Sequence, residues 1–163
     1  GVAPLAAGAQ LETVAQPPHR SAVLALGGRT ILDDCYNANP ASMSAAIATV
    51  VASVGGAGGW ARAFAVLGDM LEVGPESEDL HRALGREAGV RLAGVVALGG
   101  FAGAITEGAR SAGLAEDRAK VAGSPEEAAA VMKSWSAPGD WILVKASRGM
   151  RLERVVDALR GGL

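Results

Sequence analysis

The sequence predicts an α/β domain organised around a mainly parallel β-sheet, and three observations lead to this fold class. From residue 22 onward, short β-rich runs alternate with longer segments rich in Ala, Leu, Glu and Arg, as in repeated βα units. The runs 63–67, 94–98 and 141–144 lack polar alternation, which is typical of strands covered on both faces. A chain of 163 residues is also long enough to bury a hydrophobic core without the help of disulfide bonds or a bound metal.

A β-hairpin is predicted at the start of the domain. Its strands are residues 22–26 and 30–33, and Gly27-Gly28-Arg29 forms the turn because glycine adopts positive φ at little cost. The hairpin contributes one antiparallel strand. The expected sheet therefore has about six strands, and all but one of them are parallel.

Two helices are predicted between the first strands. Asn39 can cap a helix that has Pro40 in its first turn and runs to about Val54, where glycine-rich residues 55–59 end it. The next helix has apolar residues at four-residue spacing, which gives it a face that can pack on the sheet: Leu80, Leu84, Ala88 and Leu92.

Two more helices are predicted in the second half of the chain. Ser124, Pro125 and Glu127 form a capping box that begins a helix over residues 125–136. The last helix is indicated by one apolar stripe, formed by Leu152, Val155, Val156 and Leu159.

Residues 1–19 differ from the rest of the chain. They are Ala-rich and weakly periodic, and Gln16-Pro17-Pro18 interrupts them. We expect them to be a linker or the tail of a preceding domain, and we expect the folded domain to span residues 20–163.

Composition argues against several classes of function. A formal net charge of -2 and an aromatic fraction of 4% offer little to a nucleic acid. No apolar run reaches the length of a membrane span, and the N-terminus lacks the order of a signal peptide. Cys35 is the only cysteine, so an internal disulfide is excluded. We expect a cytoplasmic protein without nucleic-acid or membrane partners.

Polar residues follow the predicted strands where each strand ends. The segments concerned are DDCYNANP at 33–40, Gly68-Asp69-Met70, Gly99-Gly100 and Lys145-Ala146-Ser147-Arg148. The carboxyl ends of parallel strands lie along one edge of a sheet, where open α/β folds bind ligands. We therefore expect these four loops to be neighbours, with side chains that accept hydroxyl groups and bind anions.

Two arginines give a further reason to expect a bound anion. Arg148 and Arg151 are predicted in the first turn of the last helix, where the helix dipole disfavours cations. A bound anion at that helix start would account for them. The alternative is that both side chains point away and are screened by Glu153 or Asp157.

The alternative interpretation of DDCYNANP is a purely structural one, and a functional role is favoured over it. Turn and helix-capping chemistry would account for Asn37 or Asn39, although not for Asp33, Asp34 and Tyr36 together.

No metal site or P-loop is predicted. His19 and His81 have no partners at ligand spacing, so surface or packing roles are expected for both. Cys35 has no adjacent base, so it is expected to be a small buried residue. The pattern GxxxxGK[ST] does not occur in the chain.

Three segments together carry a family resemblance. DDCYNANPASMSAAI, AVLGDMLEVGPESEDLH and LVKASRGMRLERVV resemble, in order and spacing, the C-terminal domain of the Mur ligase family over about residues 19–160. The chain departs from the family pattern at Cys35, where serine is usual, and at Ala146, where glycine is usual. Neither departure replaces a charged group, although Cys35 removes any hydroxyl role at its position.

The resemblance implies a Rossmann-like, three-layer domain of a cytoplasmic three-domain enzyme for peptidoglycan synthesis. An N-terminal domain holds the UDP-N-acetylmuramoyl-tripeptide, a central P-loop domain holds most of the ATP and Mg²⁺, and the C-terminal domain closes over both. This chain would be the third domain with a tail of the second. The reaction implied is ATP-dependent addition of D-alanyl-D-alanine through an acyl phosphate, and the domain alone would be inactive.

The resemblance also implies site residues, none of them assigned a catalytic role. Arg20 would reach the nucleotide phosphates, and Asp34 would contact the ATP ribose. The remaining residues would lie near the incoming dipeptide: Tyr36, Asn37, Asn39, Lys145, Ser147 and Arg148. No role is assigned to Asp69.

Two alternatives remain open from the sequence. One is a stand-alone small-molecule binding module of the same shape. The other is a different branch of the ligase superfamily, such as folylpolyglutamate synthase, with another amine acceptor.

Overall fold

A computed structural model describes residues 19–55 and 61–161, and within these residues six strands form one sheet. Their order in the sheet is β1-β2-β6-β3-β4-β5. The strands are β1 (Ala22–Leu26), β2 (Arg29–Asp34), β3 (Ala63–Leu67), β4 (Gly94–Ala97), β5 (Ala119–Val121) and β6 (Trp141–Lys145). Only the β1–β2 pair is antiparallel in this sheet, which confirms the predicted fold class.

Five α-helices connect or follow these strands in the described residues. They are α1 (Pro40–Gly55), α2 (Ser77–Arg91), α3 (Ala102–Ser111), α4 (Pro125–Trp135) and α5 (Glu153–Arg160). Two short 3-10 turns, Glu116–Arg118 and Arg148–Met150, precede β5 and α5. Within residues 19–55 and 61–161, no helix combines the length and apolar content that a membrane crossing requires.

The core consists of two layers, one on each face of the sheet. In β3, Ala63, Ala65 and Leu67 belong to the layer that contains buried residues of α1, α2 and α3. Phe64 and Val66 belong to the opposite layer, together with α4 and α5. Because both faces are covered, the strand is apolar throughout, as its sequence indicated.

The predicted hairpin turn and helix caps are present. Gly27 and Gly28 have φ values of 53° and 76°, as a tight two-residue hairpin turn requires. The Asn39 Oδ1 accepts the Ser42 N–H at 2.9 Å, and the Ser124 Oγ accepts the Glu127 N–H at 3.1 Å. The Glu127 carboxylate binds the Gly123 N–H at 2.7 Å, one residue before the position expected of a capping box.

The predicted start of the last helix is wrong. Arg148 opens a 3-10 turn and Arg151 is left-handed at φ 52°, so the α-helix begins only at Glu153. The Arg151 N–H bonds to the Arg148 carbonyl at 3.2 Å, which completes the turn before the helix starts. The acidic Glu153 therefore occupies the first turn, as the dipole favours, and the dipole argument for an anion does not hold.

Two predicted features lie wholly or largely outside the described residues. These are the linker, of which only His19 is described, and the glycine-rich residues 55–59, of which only Gly55 is described.

Candidate ligand-binding site

The four loops predicted to be neighbours do meet at the carboxyl edge of the sheet. They follow β2, β6, β3 and β4, which are adjacent strands. The Gly68 N–H donates to the Lys145 carbonyl at 2.9 Å, and the Ser147 N–H donates to the Asp69 carbonyl at 3.0 Å. The prediction is confirmed, and these backbone bonds fix the loops relative to one another.

Two buried side chains support the loop after β3. The Asp69 carboxylate accepts the N–H groups of Gly100 and Phe101 at 2.8 and 3.1 Å, so it binds the backbone just before α3. The His81 Nε2 accepts the Met70 N–H at 2.8 Å, and its ring stacks on Phe101. Asp69 therefore has a structural role, and the packing role expected for His81 is confirmed.

Lys145 and Asp34 form a largely buried ion pair beneath the carboxyl edge of the sheet. Lys145 is 2% exposed, and its Nζ contacts Asp34 Oδ2 and donates to the Asn37 carbonyl at 2.8 Å. The other carboxylate oxygen of Asp34 accepts the N–H and Oγ–H of Ser21 at 3.0 and 3.3 Å. Both lone pairs of Oδ1 are thus used, and Oδ2 can still accept one further hydrogen bond. Asp34 can therefore bind one ligand hydroxyl, but it cannot bind two hydroxyls with one on each oxygen.

A cavity of about 340 Å³ opens above this ion pair, and we call it the Asp34 cavity. It is lined by Arg20, Ser21, Asp34, Tyr36, Asn37, Asn39, Ser42 and Lys145. Six of the eight predicted site residues are therefore brought together in one place.

Electrostatics favour an anion in the Asp34 cavity. Its lining has two cations, Arg20 and Lys145, against the single carboxylate of Asp34. The Arg20 guanidinium lies 3.9 Å from the Tyr36 ring centroid, and in the described part of the chain no carboxylate is paired with it. Its N–H donors remain available for a phosphate or carboxylate.

The two asparagines predicted at the site also have local roles. The Asn39 Oδ1 caps α1, and the Asn37 Oδ1 accepts the Ala38 N–H at 2.8 Å. Turn and capping chemistry thus accounts for both carboxamide oxygens. The amide NH₂ groups of Asn37 and Asn39 and one lone pair on each oxygen are left for a ligand.

The other two predicted residues lie in a second cavity of about 140 Å³, which we call the Arg148 cavity. It is lined by Asn37, Leu71, Glu72, Ser147, Arg148 and Gly149, and Asn37 is shared with the Asp34 cavity. Ser147 is buried, and its Oγ accepts the Leu71 N–H at 2.8 Å, so its main role is to hold the loop after β3.

Arg148 is held by a carboxylate yet remains accessible. Its Nη1 lies 3.2 Å from Glu153 Oε1, while its side chain is 55% exposed. The screening by Glu153 considered above is therefore present for Arg148. A guanidinium has five N–H donors, so this contact leaves several for a ligand.

Cys35 lies outside both cavities, in the core. Burial, followed by the negative charge of Asp33, raises the pKa of the Cys35 thiol. Its Sγ donates to the Val144 carbonyl at 3.4 Å. Cys35 is a buried packing residue, as expected, and not a nucleophile.

Sequence reasoning missed several cavity-lining residues. Ser21, Ser42, Leu71 and Glu72 line the two cavities without having been predicted. Leu71 and Glu72 follow Asp69 directly in the segment AVLGDMLEVG, so the ligand-edge argument could have been extended to them. In the described residues, no group of three or more His, Cys, Asp or Glu side chains is placed to hold a metal ion.

The three-layer fold with two polar cavities at its carboxyl edge is that of a Rossmann-like α/β domain, and comparison with known proteins identifies its family. Residues 19–148 match the family model described as Mur ligase, glutamate ligase domain, and the chain belongs to this family. The match extends from the hairpin to the 3-10 turn that carries Arg148.

Within this family the chain is similar to UDP-N-acetylmuramoyl-tripeptide–D-alanyl-D-alanine ligases (MurF). It is 37% identical to that of Mycobacterium bovis over 179 residues, covering 95% of this chain and 35% of the relative. It is 35% identical to the Bacillus subtilis enzyme, covering 81% of this chain and 28% of the relative. The predicted resemblance is confirmed, and the chain spans about a third of these relatives.

Solved structures agree with this relationship. A MurF crystal structure from Acinetobacter baumannii superposes with a TM-score of 0.81 at 27% identity, covering 98% of this chain and 34% of that one. The MurF ligase of Thermotoga maritima, crystallised in complex with ADP, gives a TM-score of 0.74 at 28% identity, covering 91% and 32%.

Proposed function

We propose that this chain is the C-terminal domain of an ATP-dependent ligase that adds D-alanyl-D-alanine to a UDP-N-acetylmuramoyl-tripeptide in cytoplasmic peptidoglycan synthesis. The observation that carries the proposal is the 37% identity to ligases of this one activity, which covers 95% of the chain. The N-terminal and central domains of the longer enzyme would be its immediate partners. No observation favours a stand-alone binding module or a folylpolyglutamate synthase.

The proposed reaction has two steps. The terminal carboxylate of the nucleotide-linked tripeptide takes the γ-phosphoryl group of ATP, which gives an acyl phosphate and ADP. The amine of D-alanyl-D-alanine then attacks the acyl carbon, and the tetrahedral intermediate loses phosphate and a proton to give the amide. The central domain would hold Mg²⁺, which would supply positive charge beside the phosphates.

The Asp34 cavity is proposed as the nucleotide side of the site. Arg20 has an accessible guanidinium that suits a phosphate, and Asp34 retains acceptor capacity for a ribose hydroxyl. Lys145 would act mainly through Asp34, because it is buried and already bonded there. Tyr36, Asn37 and Asn39 would line the passage toward the dipeptide.

The Arg148 cavity is proposed as the dipeptide side. Arg148 would bind the carboxylate of D-alanyl-D-alanine with the donors that Glu153 leaves available. Ser147 would position the neighbouring loop through its bond to Leu71. This division separates the two substrates at Asn37, which lines both cavities.

Steady-state kinetics of the full-length protein that contains this chain test the proposal. Arg148→Ala is expected to raise the KM for D-alanyl-D-alanine about tenfold or more while the KM for ATP stays unchanged, because a charged hydrogen bond is lost. Arg20→Ala is expected to raise the KM for ATP and leave that for the dipeptide unchanged. Arg86→Ala, an exposed arginine on α2, is the matched control.

Asp34→Ala is expected to weaken ATP use but to destabilise the domain as well, because it leaves the buried Lys145 without its carboxylate. Arg20→Ala therefore separates nucleotide binding from folding more cleanly. An Arg148→Ala enzyme with unchanged dipeptide kinetics would remove Arg148 from the site. A full-length protein that does not join the dipeptide to the tripeptide would refute the proposed function.

A further inference from the structure

The Arg148 cavity contains two accessible side chains to which no role has been given. Leu71 is 42% exposed, and Glu72 is exposed beside it. Both line the cavity that also contains Arg148 and Gly149. The cavity thus presents an apolar surface, a carboxylate and a guanidinium to the same small volume.

Two hydrogen bonds hold the backbone that leads into Glu72. The Leu71 N–H bonds to the Ser147 Oγ at 2.8 Å, and the Met70 N–H bonds to the His81 Nε2 at 2.8 Å. Glu72 itself has a φ of 64°, a left-handed conformation that residues other than glycine adopt at a cost. Such conformations persist where surrounding contacts impose them, and they cluster at ligand sites.

The charges of this cavity match a zwitterion. Arg148 can bind a carboxylate, whereas Glu72 can accept hydrogen bonds from an amine. A ligand with only one of these groups would bind to only one of the two side chains. Leu71 also closes on Gly149, since a Cβ at Gly149 would lie 2.8 Å from the Leu71 Cδ1. This close approach leaves an apolar surface suited to a small side chain.

We propose that Glu72 binds the amine end of the zwitterionic dipeptide and that Leu71 contacts a methyl side chain, which makes both of them specificity-determining residues. Arg148 holds the opposite, carboxylate end. The inference rests on the proposed function for the identity of the dipeptide, and it adds the residues that distinguish this ligand from molecules lacking a free amine.

The test uses the full-length protein and two dipeptide analogues as competitive inhibitors. N-acetyl-D-alanyl-D-alanine lacks the basic amine, and D-alanyl-D-alaninol lacks the carboxylate. In the unmodified enzyme, the inhibition constants of both analogues are expected to exceed the dipeptide KM about tenfold or more, because each analogue lacks one of the two charged hydrogen bonds to the cavity. Glu72→Gln is expected to raise the dipeptide KM to a similar extent.

The pattern of discrimination separates ligand contact from a structural effect. In the Glu72→Gln enzyme, the inhibition constant of the N-acetyl analogue is expected to be close to the dipeptide KM. The inhibition constant of the alaninol is expected to remain above that KM. The KM for ATP should not change. Glu76→Gln removes an exposed carboxylate from the same loop outside the cavity, and it is expected to match the unmodified enzyme in every constant.

The role of Leu71 is tested by comparing dipeptide substrates with and without methyl side chains. Leu71→Ala is expected to narrow the preference for D-alanyl-D-alanine over glycylglycine, because the apolar surface that contacts the methyl group is reduced. An unchanged preference would remove Leu71 from the proposal.

Two outcomes would overturn the role of Glu72. One is a Glu72→Gln enzyme with unchanged dipeptide KM. The other is equal inhibition of the unmodified enzyme by the N-acetyl analogue and the parent dipeptide, a measurement that does not depend on any variant folding. Both differ from failure of the proposed function, in which the unmodified enzyme would not use D-alanyl-D-alanine at all.

Discussion

Asp140 is a buried carboxylate at the amino edge of the sheet, opposite the two cavities. It accepts the backbone N–H groups of Arg62 and Ala137 and the Arg62 guanidinium, each at 2.8 Å. Burial alone would raise the pKa of Asp140, but these hydrogen bonds outweigh it and hold the pKa below its ordinary value. The charged form of Asp140 therefore stabilises the start of β3 and β6.

Asp140→Asn is expected to lower the free energy of unfolding by about 2 kcal/mol at neutral pH, because the amide has a single acceptor oxygen and no charge, so at least one N–H donor loses its acceptor. Since the folded pKa is depressed, the contribution of Asp140 is complete above its ordinary pKa of 3.8 and is lost as pH falls below it. Urea unfolding of both proteins from neutral pH to about pH 3 should show their difference shrinking only at the acid end.

The control for this measurement is Asp117→Asn, which changes an exposed aspartate. The free energy of unfolding of Asp117→Asn is expected to equal that of the unmodified protein at every pH. A difference between Asp140→Asn and the unmodified protein that is constant down to the lowest pH would contradict the assignment of acid sensitivity to Asp140.

The contact between α2 and α3 depends on glycine at the helix interface. A Cβ added at Gly85 would clash with the Ile105 carbonyl oxygen, and one at Gly108 would clash with the Arg82 carbonyl oxygen. The two backbones therefore approach more closely than any residue with a side chain would permit. This contact fixes α3, whose preceding residues are bound by Asp69, relative to the rest of the domain.

Gly85→Ala is expected to lower the free energy of unfolding by about 1 to 3 kcal/mol, because one helix must shift to make room. Gly103→Ala is the matched control, since that glycine lies in the partner helix α3 and a Cβ there meets nothing within 4 Å. It is expected to raise stability by about 0.5 to 1 kcal/mol, as helical Gly-to-Ala changes do. Thermal and urea unfolding distinguish the two, and equal effects would refute the packing argument.

Local signals predicted most elements, but α3 and β5 were not identified and the start of α5 was misplaced. Helix starts at Asn39 and Ser124 were predictable because capping depends on residues three apart in sequence. The short edge strand Ala119–Val121 was not identified, because three residues with one buried side chain give no usable period. The start of α5 was misplaced because left-handed Arg151 has no sequence mark of the kind that glycine provides.

At the scale of the whole molecule, both cavities are open at the carboxyl edge and the residues proposed for each substrate lie on one side of the domain. Such a surface can close around substrates only when another domain covers it. The proposed catalytic chemistry also requires a nucleotide-binding P-loop, and the pattern GxxxxGK[ST] is not present in this sequence.

The 163-residue chain alone is therefore expected to release no phosphate from ATP, with or without the tripeptide substrate and D-alanyl-D-alanine. The full-length protein, assayed in parallel, is expected to release phosphate only when both are present. A phosphate-release assay on the purified proteins measures this directly. Substrate-dependent release by the isolated chain would show that this domain has a complete active site of its own.

The sequence by itself determined the α/β class, the hairpin, the helix caps and the family, because these depend on periodicity and on residues close together in the chain. It also located the edge where the two cavities open. Only the tertiary structure decided which polar groups at that edge remain available. Lys145 is bonded to Asp34 and Ser147 to Leu71, whereas Glu72 and Arg148 face a shared cavity. These partners are far apart in sequence, and their pairing depends on how adjacent strands align in the sheet.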